Sequence, residues 1–391
     1  MPRRVAIIGA GLTRTSSHRT DVTYPELVRE AVSAALEDAG LQPGDIQAVA
    51  YGSMDPFDGV FAPERWNVEA CASAGARNLP LMKITTGGTT GGSTALGGYY
   101  HVASGLFDVV LAVASQRVGE TLEAQLVLNT AIDPIYERWL GAGAITIAAL
   151  QGARHFWRYG TTEEDLALIS VKNYTNARRN PNAHLMRMLT VKDALNTRLI
   201  SWPLRLSDCC PSSDGAAALI FASEEQAKAR SDRPAWVIGA GQITDNYWVG
   251  DRTWYEDWDS LSMLARRVYR QAKIDNPLRD LDVAELYNAF SIQEIIEYEA
   301  LGFCEKGKGP QLIRDGVTTM EGDLPVCPSG GVLCTNPIGA SGLIRVAEAA
   351  LQVMGRAGDR QVPGVKKALA HAWGAAIGFH TLMVLSSEAP A

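Results

Sequence analysis

The feature that most constrains the fold is an internal repeat of short apolar runs that contain glycines. The first run, V-A-I-I-G-A-G, spans Val5 to Gly11, and the second, W-V-I-G-A-G, spans Trp236 to Gly241. Such a run is typical of a buried strand that enters a tight turn. A helical pattern and a second apolar run follow in each case, so both halves of the chain read strand, helix, strand.

The first helix of each half has clear sequence signals. Thr23 and Glu26 form the pattern of a capping box, with Pro25 in the first turn, and Gly40 is placed to end that helix. In the second half a helix is expected from about Leu264 to Ile274. These signals give the two halves the same order of elements.

The repeat continues after these elements. A Gly-rich turn, a helix and a strand follow in both halves, over 84–114 and 327–371. Repeats of this size indicate two duplicated α/β units packed face to face, each with its own sheet. We predict an N-terminal half over 1–116 and 203–231, an inserted loop domain over 117–202, and a C-terminal half over 232–391.

Charge and composition exclude several classes of protein. The net charge of −7 argues against a nucleic-acid binder, which would carry a basic surface. No apolar run approaches the roughly 18 residues of a membrane span, and the start of the chain does not have the pattern of a signal peptide. The 6 cysteines are scattered without a C-x-x-C pair, which predicts reduced thiols and a cytoplasmic location.

The glycines near the N-terminus also raise the possibility of a dinucleotide site. Gly9 and Gly11 follow a strand, but Arg14 stands where the third glycine of the fingerprint belongs, and no acidic residue follows at the required distance. The Gly-rich segment 91–98 lacks the G-K-[ST] of a P-loop. We therefore interpret Gly9 and Gly11 as parts of a structural turn.

Several separated motifs resemble one family. The segments A-R-H-F-W-R-Y-G-T-T-E-E-D-L-A, P-L-R-L-S-D-C-C-P-S-S-D-G-A-A-A, Y-N-A-F and G-G-V-L-C-T-N-P-I-G-A-S-G occur in this order. They are similar to the thiolase superfamily, and within it to the lipid-transfer-protein and sterol-carrier-type thiolases. The resemblance covers nearly the whole chain and implies a thiolase-like five-layer αβαβα fold, a homodimer, and CoA as part of the substrate, with no bound cofactor or metal.

The resemblance also locates the catalytic positions, and each holds an altered residue. The nucleophilic cysteine of thiolases falls on Thr89, and the histidine of the family's G-H-P motif falls on Asn336. The asparagine of N-E-A-F falls on Tyr287, and the second cysteine falls on or beside Ala372. A threonine is a poor nucleophile without an activating base, and an asparagine cannot accept a proton at neutral pH. An acyl-enzyme formed by the thiolase route is therefore not expected.

A subset of the family has lost these groups and remains enzymatic. These are the side-chain aldolases of steroid degradation, which work with an OB-fold partner of the DUF35 type and cleave a β-hydroxyacyl-CoA by a retro-aldol reaction. The chain resembles them in Tyr287, in the missing cysteines and in its D-C-C motif. It departs from them in the turn C-T-N-P-I-G-A-S-G, which lacks the tyrosine that those aldolases carry there.

A retro-aldol site needs a base, donors for an enolate oxygen, and an acid. We predict that Tyr287 is the acid or a donor, that Asn336 is a donor, and that His371 is the proton acceptor. Thr89 is placed where a helix N-terminus faces an oxyanion. We expect Tyr287, Asn336 and His371 to converge on one pocket close to the turn that carries Thr89, although His371 is equally compatible with a buried structural role and Asn336 with ordinary turn chemistry.

Two other functions remain open from the sequence. The chain is also compatible with an acyltransferase that uses another thiol, with Cys210 and Cys334 as the candidates. It is further compatible with a non-catalytic subunit that binds acyl-CoA or acts as a scaffold.

Overall fold

A computed structural model describes residues 3–54, 57, 78–121, 123–141, 143–246, 248–252, 255–374 and 376–390. The strands in this part of the chain are β1 (Val5–Leu12), β2 (Ala48–Gly52), β3 (Leu81–Ile84), β4 (Val109–Arg117), β5 (Leu199–Ser201), β6 (Leu204–Arg205), β7 (Asp214–Ser223), β8 (Ala235–Thr244), β9 (Val283–Glu285), β10 (Lys367–Gly374) and β11 (Phe379–Ser386).

The α-helices of the described residues connect these strands and cover them. They are α1 (Tyr24–Ala39), α2 (Thr90–Ala103), α3 (Ala124–Leu128), α4 (Ala144–Tyr159), α5 (Glu163–Ala177), α6 (Val191–Asn196), α7 (Glu224–Arg230), α8 (Asp259–Ala272), α9 (Pro277–Asp280), α10 (Ser291–Ala300), α11 (Gly309–Arg314), α12 (Gly331–Cys334) and α13 (Ile338–Met354). No helix among the described residues is long and apolar enough to cross a membrane.

The two halves have the same strand order. The first half reads β3-β2-β4-β7-β1 across its sheet, and the second reads β9-β10-β11-β8. At the place equivalent to β3, Val326 forms a single parallel bridge with Ala284 of β9. In the first half β2 runs parallel to β4, and the last strand, β7, is antiparallel to β4. In the second half β9 runs parallel to β10, and the last strand, β11, is antiparallel to β10. The predicted duplicated α/β architecture is confirmed.

The two sheets are joined at their edges, which the sequence did not predict. Strands β1 and β8 pair at two positions, Ala6 with Trp236 and Ile7 with Ala235. Through this short contact nine of the described strands form one sheet, while β5 and β6 form a separate two-stranded sheet. The contact places the two copies of the repeat beside each other.

The helices form the remaining layers. α2 and α13 pack against each other between the two parts of the sheet, α1 covers the outer face of the first part, and α8 covers that of the second. The residues at these contacts are buried and mostly apolar, so each layer removes apolar surface from water. The result is the five-layer αβαβα arrangement that the resemblance implies.

The glycines of the repeat lie inside strands, and the prediction of a turn at Gly9 and Gly11 is wrong. A side-chain carbon at Gly9 would lie 2.4 Å from the carbonyl oxygen of Ala35 in α1. A side-chain carbon at Gly239 in β8 would lie 2.8 Å from the carbonyl oxygen of Val268 in α8. In both halves glycine therefore lets a helix approach the first strand closely.

The capping signals of the first helix are confirmed. Glu26 Oε2 accepts a hydrogen bond from the Thr23 backbone nitrogen at 2.8 Å, and Gly40 ends the helix with φ of 64°. The predicted insert at 117–202 falls in the long segment between the end of β4 at Arg117 and the start of β7 at Asp214. This segment contributes α3, α4 and Cys210 to the cavity described below.

Candidate active site

A cavity of about 370 Å³ lies where the turns of the two halves meet. Its wall comes from the first-half turn 85–88, from α3 and α4, and from second-half segments that follow β9 and end β10. Most of this wall is apolar, including Ile132, Ile147, Phe290 and Trp373. Among the described residues that line the cavity there is no Asp, Glu, His, Lys or Arg.

Tyr287 lies on the cavity wall, two residues after β9 ends at Glu285. Its residue is 2 % exposed, and its hydroxyl is 3.5 Å from the carbonyl oxygen of Ile338, which is a weak contact. Burial is the main cause that raises the pKa of Tyr287 above its ordinary value. The group is therefore a protonated phenol on the cavity wall.

Trp373 fixes Tyr287 from the neighbouring strand. The indole Nε1 donates a hydrogen bond of 2.6 Å to the backbone oxygen of Tyr287, and the two rings lie edge to face with centroids 5.3 Å apart. The sequence reading missed Trp373 because it ended the strand at His371, whereas β10 continues to Gly374. The glycine after Trp373 was the available signal for the true strand end.

Asn336 also lies on the cavity wall, and its amide orientation is fixed. Ser341 Oγ donates to Asn336 Oδ1 at 2.8 Å, so the nitrogen Nδ2 points the other way, 3.2 Å from the sulfur of Cys210. The backbone nitrogen of Asn336 is held by Ser213 Oγ at 3.1 Å. The side chain thus offers a hydrogen-bond donor to the cavity, and it has no group that accepts a proton at neutral pH.

The Gly-rich turn before α2 reaches the cavity, but Thr89 itself does not line it. Gly87 and Gly88 are on the wall, and a side-chain carbon at Gly88 would lie 3.5 Å from the Tyr287 hydroxyl. Thr89 is fully buried and donates its hydroxyl to the backbone oxygen of Thr86 at 2.6 Å. The turn that carries Thr89 is therefore at the cavity as expected, whereas the Thr89 hydroxyl is engaged by a local backbone acceptor and is not placed to act on a ligand there.

His371 lies outside the cavity, and the expectation that it converges with Tyr287 and Asn336 is wrong. Its Nδ1 is 3.0 Å from Glu297 Oε1 and its Nε2 is 3.2 Å from Nδ1 of His380. The residue is 1 % exposed, and burial lowers its pKa well below the ordinary value. His371 is two residues deeper in β10 than Trp373, so its ring is enclosed by the core of the second half.

The position assigned to the second cysteine also faces away. Ala372 is 1 % exposed, and its side chain packs against Gly92 of α2 and Gly342 of α13. Alternation along the strand explains this, because Ala372 points to the face opposite His371 and Trp373.

The thiols differ in their access to the cavity. Cys209 and Cys210 line it, whereas Cys334 is fully buried and packs with Tyr174 and Ala177 of α5. Burial is the largest cause that raises the pKa of Cys210 to about 11, and the hydrogen bond from Asn336 acts in the opposite direction. Cys210 is therefore a protonated thiol near neutral pH, and Cys334 is not placed to meet a ligand in this cavity.

Two family models match the chain. One, described as the N-terminal domain of thiolase, covers residues 5–192, and the other, described as thiolase C-terminal domain-like, covers residues 242–387. Each model covers most of one copy of the repeat, and residues 193–241 lie between the two matches.

Individual proteins show the same similarity over their length. An acetyl-CoA acetyltransferase of Methanothermobacter thermautotrophicus is 34 % identical, over 98 % of this chain and 100 % of the relative. Sterol carrier protein 2 of Gallus gallus is 30 % identical, over 95 % of this chain and 70 % of the relative. A solved structure described as the Ltp2-ChsH2(DUF35) aldolase superposes with a TM-score of 0.84 at 28 % identity, over 98 % of each chain.

Proposed function

This chain belongs to the thiolase superfamily, and on that premise we propose that it is a CoA-ester lyase that cleaves a β-hydroxyacyl-CoA by a retro-aldol reaction. The observation that carries the proposal is the replacement of acyl-transfer groups by hydrogen-bond donors. Tyr287 and Asn336 present a phenol and an amide nitrogen to one neutral cavity. A lyase of this kind forms no covalent acyl-enzyme and needs no cysteine nucleophile.

The reaction breaks one carbon–carbon bond and moves one proton. The β-hydroxyl loses its proton and becomes a carbonyl, while the electrons of the Cα–Cβ bond pass to the α-carbon as an enolate. Asn336 Nδ2 is oriented to stabilise the enolate oxygen derived from the thioester. The α-carbon takes a proton as the bond breaks, so the products are an aldehyde or ketone and a shortened acyl-CoA.

Tyr287 is the group that we assign to the proton transfer. Its hydroxyl lies on the cavity wall, where it makes a weak contact of 3.5 Å with the backbone oxygen of Ile338 and also interacts with the side chain of Ser341. Because no described residue on the wall is a carboxylate or histidine, we assign Tyr287 a concerted relay, in which the phenol gives its proton to the α-carbon and takes that of the β-hydroxyl as the Cα–Cβ bond breaks. Such a relay leaves the enzyme unchanged at the end of each turnover.

The substrate and assembly follow from the same premise. The apolar wall suits a bulky apolar acyl group, and a steroid side chain is one such group. The structural relative named as a DUF35-containing aldolase supports an OB-fold partner of the DUF35 type.

We also propose a homodimer formed through the first half, where the edge strand β3 exposes Leu81 and Met82. Analytical ultracentrifugation of the parent and of Met82→Arg tests this assembly, since a charge on the paired edge should yield monomers.

The test of the activity is an assay of the purified chain on a β-hydroxyacyl-CoA, with and without a co-encoded DUF35-type protein. Carbonyl product and shortened acyl-CoA should appear in equal amounts without added thiol. Binding without turnover in both samples would favour the non-catalytic subunit and would contradict the lyase.

One observation favours a second candidate, an acyltransferase. Cys210 lines the cavity with its sulfur 3.2 Å from Asn336 Nδ2, and one sequence relative is named an acetyl-CoA acetyltransferase. The raised pKa of Cys210 weighs against this candidate, because a protonated thiol is a poor nucleophile. A stable acyl adduct on Cys210 after incubation with substrate would support the transferase.

A further inference from the structure

Gln293 is a buried polar residue on an otherwise apolar part of the cavity wall. It lies in the first turn of α10, three residues after Phe290, and both residues line the cavity. Its exposed fraction is 1 %. A side chain with this environment needs hydrogen-bond partners, because an unsatisfied buried amide is costly.

A chain of hydrogen bonds fixes which way the Gln293 amide points. The backbone oxygen of Tyr255 can only accept, and it accepts from Gln151 Nε2 at 3.4 Å. Gln151 must therefore turn its oxygen Oε1 toward Gln293, which donates from Nε2 at 3.3 Å. Because the order starts at a carbonyl, reversing either amide would bring two like groups together.

The consequence is an acceptor without a partner. Gln293 Oε1 is buried and makes no hydrogen bond within the described protein. Gln151 lies one helical turn beyond Ile147 of α4, which is itself on the cavity wall, so the chain of amides runs from behind the wall to its surface. Gln293 is the amide of this chain that lines the cavity, and its oxygen is the end of the chain that is left unpaired.

We infer that Gln293 forms a second polar subsite, which accepts a hydrogen bond from a hydroxyl group on the acyl part of the ligand. This inference rests on the proposed function, in which the cavity holds the acyl group. The ligand class is an acyl-CoA whose apolar acyl group carries a hydroxyl in addition to the one at the β-carbon. Gln293 is a specificity residue, and Gln151 is a positioning residue that sets its orientation.

The test is a binding comparison that does not depend on turnover. Isothermal titration calorimetry measures the affinity of alkanoyl-CoAs and of their ω-hydroxy counterparts over a range of chain lengths from six to twelve carbons. At the length that brings the terminal hydroxyl to Gln293, the ω-hydroxy ester should bind roughly 3- to 10-fold more tightly, as expected of one net hydrogen bond. The chain length at which the preference peaks measures the distance from the thioester to the subsite.

Two variants and one control assign the preference to Gln293. Gln293→Met keeps the side-chain size and should remove the preference at every length. Gln151→Met leaves the Gln293 amide free to turn and should reduce the preference. Thr130→Val is the matched control, because Thr130 also lines the cavity but its hydroxyl already donates to the Val127 oxygen at 2.6 Å, so the preference should remain.

The outcomes separate this inference from the proposed function. Equal affinities for the two series on the parent protein, or a preference that survives in Gln293→Met, would overturn the subsite while leaving cleavage of β-hydroxyacyl-CoA intact. A clear preference with no cleavage would keep the subsite and overturn the lyase. The parent series needs no variant, so a failure of Gln293→Met to fold does not prevent the test. Absence of any acyl-CoA binding would contradict both.

Discussion

Asn336 Nδ2 lies 3.2 Å from the sulfur of Cys210, and it is held there because Ser341 Oγ donates to the opposite end of the amide at 2.8 Å. By the family resemblance, position 336 aligns with the histidine that activates the catalytic cysteine in thiolases. Here the same position holds a fixed donor that cannot take a proton. In the proposed mechanism this exchange replaces a group that activates a nucleophile with one that stabilises negative charge.

The donor role of Asn336 predicts a graded effect of two substitutions. Asn336→Leu removes the amide and should lower kcat by on the order of 10²-fold, the loss typical of one oxyanion donor. Ser341→Ala leaves the amide but frees its orientation, so the loss should be smaller. Steady-state kinetics measures both variants, and an effect confined to KM would show that Asn336 contributes to substrate binding only.

Tyr287→Phe removes one hydroxyl and little volume, so the fold should survive. We expect the rate to fall by about 10²- to 10³-fold, since in the proposed mechanism the hydroxyl carries the proton. The control is Tyr269→Phe, because Tyr269 is also buried but donates to the backbone oxygen of Leu301 at 2.8 Å, away from the cavity. Turnover of Tyr287→Phe at the parental rate would disprove the assignment.

Cys210 should be dispensable for cleavage. If the lyase account is right, Cys210→Ser retains the rate to within about threefold, and intact-protein mass spectrometry of the parent after incubation with substrate shows no acyl adduct. Cys334→Ser provides the comparison at a thiol outside the cavity. Loss of activity in Cys210→Ser alone, together with an adduct in the parent, would point to acyl transfer.

The buried histidine pair predicts a pH dependence of stability. Burial lowers the pKa of His380 to about 3, whereas the unfolded side chain titrates near about 6.5. Below pH 6.5 the unfolded chain binds more protons than the folded chain, so the free energy of unfolding should decrease as the pH falls from about 6.5 toward 3. The slope contributed by His380 is at most roughly 1.4 kcal/mol per pH unit.

Urea denaturation at pH 7 and pH 5 measures this effect in the parent and in His380→Gln. The variant should lose part of the parental slope because it has no imidazole to protonate on unfolding. The same slope in both proteins would mean that His380 does not titrate between the two states.

The outcome for each prediction from sequence has a physical reason. The repeat predicted the fold because equivalent glycines in the two halves have the same structural role. Gly9 and Gly239 each allow a helix to pack closely against the first strand of its half. Tyr287 and Asn336 were found because the family resemblance aligns the asparagine of N-E-A-F with Tyr287 and the histidine of G-H-P with Asn336. Both line the cavity.

The remaining positions depend on contacts that a sequence pattern does not contain. The end of β10 is set by its pairing with β11, whose last pair is Gly374 with Phe379. This pairing places Trp373 at the cavity and His371 in the core. The orientation of the Thr89 hydroxyl is set by the carbonyl of Thr86. Gln293 becomes notable only through its bond to Gln151, which is 142 positions away in the chain.

The central claim is cleavage without an acyl-enzyme, and the dependence of the rate on free CoA tests it most directly. The chain and its DUF35-type partner are incubated with a β-hydroxyacyl-CoA in deuterated water, and products are counted as free CoA is raised from zero. We expect many turnovers at zero free CoA, a rate that does not rise with added CoA, and one solvent deuterium at the α-carbon of the shortened acyl-CoA. Turnover that stops after one product per site until CoA is added would contradict the account.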